Sequence, residues 1–83
     1  MKIAHWQEHP LALGFIWDAN RSMYIPKPPP AWVNVFTWWA YKLTTEGRAV
    51  AQAMLDWGQT AAQQQAYSAM LRARAEEAGV TFD

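Results

Sequence analysis

Cysteine is absent from the chain, which excludes disulfides and thiolate-bound metal. A domain of this length buries only about 60% of the surface its unfolded chain exposes, so its core needs support from dense packing or from a partner. An excess of charge is missing too: seven Lys and Arg balance seven Asp and Glu. Without a basic face or stripe the chain lacks the electrostatic footprint of a nucleic-acid binder. A net charge of zero also leaves little to hold copies apart, which favours association. The imbalance between halves is mild, +4 and −2 in residues 1–43 against +3 and −5 in residues 44–83.

Long hydrophobic runs are likewise lacking. A membrane-spanning helix needs ~18 to 20 apolar residues, and the most apolar stretch, residues 31–43, is interrupted by Asn34, Thr37 and Lys42. Glu8, Pro10 and Asp18 break any secretory apolar region, so no signal peptide is expected. The lack of cysteine fits a reducing compartment.

Motifs that carry chemistry are absent as well. The four glycines form no phosphate loop, nucleophile elbow or dinucleotide fingerprint. His5 and His9 stand four apart, but Pro10 follows and no carboxylate signature surrounds them, so neither metal nor another cofactor is expected. Glu76 and Glu77 read as a solvated helix end, and Asp18 as a turn residue bonding its own backbone. Ser22, His5 or His9, and Asp18 could be drawn as a triad, yet the chain leaves little room for an oxyanion hole and a cleft. The expectation is a protein that is not an enzyme.

What is present divides into three zones of one expected domain, residues 1–83. Residues 1–25 are mixed and aromatic, with residues 2–7 a candidate short strand. Residues 11–17 and 22–25 read as strands joined by the turn residues 18–21, a hairpin with Phe15 and Trp17 on one face and Gly14 and Ile16 on the other. Residues 26–30, PKPPP, form a stiff connector. They would serve as a spacer between strand and helix, or as a proline-rich ligand for an aromatic groove.

In residues 31–43, Trp32, Phe36, Trp39 and Leu43 recur as one helical stripe after Pro30, while Val33, Val35, Thr37, Trp39, Tyr41 and Leu43 also alternate as a strand would. The proline lead-in favours the helix. A further helix over residues 46–57 carries the stripe Val50, Met54 and Trp57, with Gly47 as a possible break before it and Gly58 as its end. Thr60 and Gln63 match a capping box, opening a helix that runs to about Ala78 and stops at Gly79. The fold class expected is therefore α+β, mostly α, with an N-terminal β-hairpin, a proline linker and an antiparallel helical hairpin across Gly58 and Gln59.

The conspicuous excess is aromatic: six Trp, three Tyr and three Phe. Each ring covers ~150–250 Å² when buried, more than so small an interior accommodates, and Trp and Tyr dominate interface hot spots. Trp32, Phe36, Trp39 and Trp57 are expected in the core. Trp17, Tyr24, Trp38 and Tyr41, with Arg21 beside the turn, are expected to form an interface, the hairpin offering a partner its open edge.

In size, tryptophan content and the run GFIWDANRSMYIPKPPPAW, the chain resembles short accessory proteins encoded by tailed bacteriophages, found among tail and baseplate genes or among genes that disable host machinery. The likeness is of the whole chain and assigns no residue a role. It implies a non-enzymatic structural subunit binding other protein subunits in a virion, with a possible homo-oligomer. The alternative it implies is an inhibitor that blocks a host protein in the host cytoplasm.

Overall fold

The computed structural model describes residues 13–80. The expected strand at residues 2–7, the His5 and His9 pair, Leu11 and Ala12 of the first hairpin strand, and Trp6 and Phe82 lie outside the described residues.

The architecture is α+β and mostly helical. Strands β1 (Phe15–Asp18) and β2 (Met23–Pro26) are followed by a single helical turn α1 (Trp38–Tyr41), then α2 (Thr45–Trp57) and α3 (Ala61–Glu77). The strands pair antiparallel, with Trp17 opposite Tyr24 and Phe15 opposite Pro26. Asp18 shapes the connection: its Oδ1 accepts from the backbone N–H of Asn20 at 2.9 Å and of Arg21 at 3.3 Å. Alternation then places Phe15 and Trp17 inward together, where both are buried, and leaves Ile16 partly covered.

The inner face of the hairpin, one side of α2 and one side of α3 make a common core. Phe15, Trp17, Tyr24, Ala53 and Leu71 form its buried cluster, with Trp57, Tyr67 and Met70 packed against it. Small residues let the layers close. A Cβ at Gly14 would collide with the Ala49 backbone of α2 and lie 3.0 Å from the Ala53 Cβ, and Gly14 also sits at φ +79. Glycine is thus required there for both space and conformation. On α2 Gly47, Val50 and Ala53 are buried, Val50 as the stripe predicts, while Met54, expected in the same stripe, is half exposed.

α3 buries a narrow stripe, Ser68, Leu71 and Ala75, and meets β2 more extensively than it meets α2. Ser68 Oγ accepts the Tyr24 backbone N–H at 2.6 Å in a buried setting. That N–H points out of the two-stranded ladder, so α3 covers this part of the hairpin edge, which the sequence suggested was open. Helix ends follow the expected chemistry. Thr60 and Gln63 form a complete capping box, and Gly79 at φ +91 ends α3. The N–H groups of Gly79 and Val80 then donate to Glu76 and Ala75 carbonyls.

The chain between the hairpin and α2 departs from the expectation of a continuous helix. Asn34 Oδ1 accepts from the N–H of Phe36 and Thr37, and Thr37 Oγ1 accepts from the Asn34 N–H while donating to the Trp32 carbonyl. These side chains offer the backbone an alternative to helical bonding, and helix appears only as the turn of α1. Gly47 is not a break but part of the first turn of α2. Thr44 caps that turn by accepting the Gly47 N–H at 2.9 Å, and a Cβ at Gly47 would strike the Tyr41 carbonyl.

Candidate interaction surface

The hairpin rings are directed inward by strand alternation, and the partners they find are specific. Trp17 and Tyr24 meet edge to face at 5.3 Å between centroids, Phe15 stacks on Tyr67 at 5.4 Å, and the Arg72 guanidinium lies over Trp17 at 5.1 Å. Burial raises the Tyr24 hydroxyl above its ordinary pKa, with the Arg72 charge opposing the rise. Trp17 and Tyr24 therefore stand in the core rather than at an exposed contact. Tyr41 is buried as well, under the rings of Trp32 at 5.9 Å and Trp38 at 5.7 Å.

The expected division of rings between core and surface is thus reversed in residues 31–43. Trp32, Phe36 and Trp39 were expected inside, yet they are 51%, 81% and 67% exposed, and Val35 and Leu43 are similarly open. Consecutive turn hydrogen bonds run from Asn34 through Leu43. Residues three or four apart consequently share a side, which groups Val35, Phe36, Trp39 and Leu43 opposite the buried Tyr41. No charged residue occurs between Lys27 and Lys42, so this face is uncharged from Val35 to Trp39, with the exposed Lys42 beside Leu43 at its end.

Beside this face runs a groove of about 710 Å³ between the proline connector and α2. Its apolar walls include Ile25, Pro28 and Trp38 on one side and Met54, Leu55 and Trp57 on the other. Leu55 is largely exposed and Met54 half exposed. Trp57 contributes its ring rather than a hydrogen bond, its buried Nε1 having no acceptor among the described residues. Arg21, Lys27 and Lys42 also line the groove. Arg21 reaches Asp18 at 3.5 Å. Of the five side chains expected to form an interface, the groove brings together only Arg21 and Trp38.

A small polar network holds the connector in place. Lys27 Nζ donates to Glu46 Oε1 at 2.7 Å, and the Tyr41 hydroxyl donates to Glu46 Oε2 at 3.1 Å. The hydrogen bonds from Lys27 and Tyr41 lower the Glu46 pKa. Burial, then Glu46 itself, raises that of Tyr41. Glu46 thus joins the connector, through Lys27, to Tyr41 beside the first turn of α2. Among the described residues no three His, Asp or Glu side chains gather as metal ligands would, and no helix is long and apolar enough to cross a membrane.

Sequence reasoning missed the exposure of Val35, Phe36, Trp39 and Leu43 and the contribution of Met54 and Leu55. The available signal was Asn34 three residues before Thr37, a pair suited to side-chain bonding of the backbone within an apparently helical pattern. Comparison with family models, with curated proteins and with solved structures gave no match.

Proposed function

We propose that the protein is a non-enzymatic interaction subunit that binds another protein through the apolar face of Val35, Phe36, Trp39 and Leu43 and the adjoining groove. The observation that carries this reading is the exposure of Val35, Phe36, Trp39 and Leu43 while the hairpin rings fill the core. Contiguous apolar surface beyond ~300–600 Å² is uncommon on monomers and marks interaction sites. The hydrogen bonds of Glu46 with Lys27 and Tyr41 support a structural use of the polar groups nearest the groove.

Within this reading, the likeness to phage accessory proteins supports a component of a tail or baseplate assembly. Mild crosslinking of native material followed by mass spectrometry tests both levels. A protein partner crosslinked through Lys27 or Lys42, lost on Phe36→Ser with Trp39→Ser, is the expected outcome, and recovery in several copies from purified particles supports the virion role. Crosslinks to a single host enzyme, with none in particles, favour an inhibitor. Crosslinks that survive both substitutions contradict the proposed surface.

A further inference from the structure

We infer that the uncharged face formed by Val35, Phe36, Trp39 and Leu43 is occupied by the same face of a second copy of this chain. The inference rests on the interaction reading above and names one partner for it.

The area is the first argument. A large ring covers ~150–250 Å² when buried. At their observed exposures Phe36 and Trp39 together offer on the order of 300 Å². Val35 and Leu43, both mostly exposed, bring the face to on the order of 500 Å². Two such faces cover about 1,000 Å² in total, the lower bound for a specific interface. The surface is thus large enough for a pair of copies, and small enough that the pair is in equilibrium with monomer.

Charge is the second argument. In a two-fold pair each surface meets itself, so a face carrying charge of one sign would repel its own copy. From Val35 to Trp39 this face carries none, and the exposed Lys42 stands only at its Leu43 end. The whole chain has a formal net charge of zero, so long-range repulsion between copies is also minimal.

Geometry is the third. The side chains stand on consecutive hydrogen-bonded turns between the proline connector and α2, with Tyr41 anchoring the opposite side in the interior. The backbone beneath the face is held by Asn34, Thr37 and Tyr41 rather than by the exposed rings themselves. Substituting those rings therefore alters the surface without removing the contacts that fix the turns.

Sedimentation equilibrium of the full chain tests the inference, with circular dichroism as the control for folding. The native chain is expected to show a reversible monomer–dimer equilibrium with a dissociation constant on the order of 10 µM. Phe36→Asp and Trp39→Asp should each raise that constant ~30-fold or more, the factor that corresponds to loss of a hot spot, with unchanged helix content. Val35→Asp is a second probe at a side chain 83% exposed, and the same direction is expected. A chain that stays monomeric up to about 1 mM, a concentration at which even weak pairs form, would overturn the inference. So would a dimer that Phe36→Asp and Trp39→Asp leave intact, or one dissociated by Leu55→Asp alone. If the chain is monomeric but Phe36→Asp abolishes crosslinking to a different protein, self-pairing fails while the interaction reading stands. If the substitutions change neither, both fail.

Discussion

Individual residues show how small an advantage decides which ring is buried. Trp17 faces Tyr24 across the ladder and lies under Arg72, contacts available only to an inward-facing strand residue. Trp39 has no comparable enclosure. Trp17→Ala should therefore lower stability by ~3–5 kcal/mol through loss of core packing, whereas Trp39→Ala should stay within about 0.5 kcal/mol of the native chain. Denaturant titration of both variants checks this contrast, and equal losses would show that Trp39 is a core residue after all. Ser68 offers a second test at this scale, since its hydroxyl accepts the buried outward N–H of Tyr24. Ser68→Ala should remove ~1–3 kcal/mol by leaving a buried donor without that acceptor, measured in the same titration. No loss would mean that water replaces the hydroxyl at the hairpin edge.

Elements were legible in the sequence where local chemistry specifies them. The hairpin is specified by alternation and by Asp18, α3 by the Thr60 and Gln63 capping box and the Gly79 stop; α3 and β2 stand within a residue or two of their expected places, whereas β1 is shorter than the expected 11–17 and begins at Phe15. Thr60→Ala should cost about 0.5–2 kcal/mol, read by thermal or chemical unfolding. An unchanged midpoint would show that the cap contributes nothing to the start of α3. Residues 31–43 were not legible, because their apolar spacing satisfies both a helix and a strand while Asn34 and Thr37 divert the backbone hydrogen bonds. Nor could the sequence say that Gly14 lets the hairpin approach Ala49, a contact between distant elements that decides which face is covered.

The connection of the proline segment to α2 also belongs to this scale. Glu46 has a lowered pKa in the folded chain through its bonds from Lys27 and Tyr41. The stability it lends is therefore complete above the ordinary carboxylate value of about 4.3 and is lost as pH falls toward the lower folded value. Tyr41 and Tyr24 are shifted upward. Their contribution is complete below the ordinary value of about 10 and is lost as pH rises through their raised folded values. Stability measured against pH should thus decline at both extremes, and Glu46→Gln should flatten the acid limb. An acid limb identical in Glu46→Gln would assign that decline to other carboxylates.

At the scale of the whole molecule, a short chain with no cysteine and twelve aromatic rings faces a packing limit. The core takes the hairpin rings, because the strands can be covered by α2 and α3 together, and leaves Trp32, Phe36 and Trp39 at the surface. The composition made an excess of rings legible, but not which of them would be left outside, since that choice depends on the three-layer contact among hairpin, α2 and α3. Trp17 and Tyr24 were therefore misassigned to the surface, and Phe36 and Trp39 to the core. The account's central claim is that the rings left outside are the surface that binds. Hydroxyl-radical footprinting read by mass spectrometry tests it most directly, comparing the dilute isolated chain with the native assembly. The account predicts heavy labelling of Phe36 and Trp39 in the isolated chain, their protection in the assembly, and protection of Trp17 and Tyr24 in both. Labelling of Trp17 and Tyr24 as strong as that of Trp39, or a Trp39 equally labelled in both states, would contradict it.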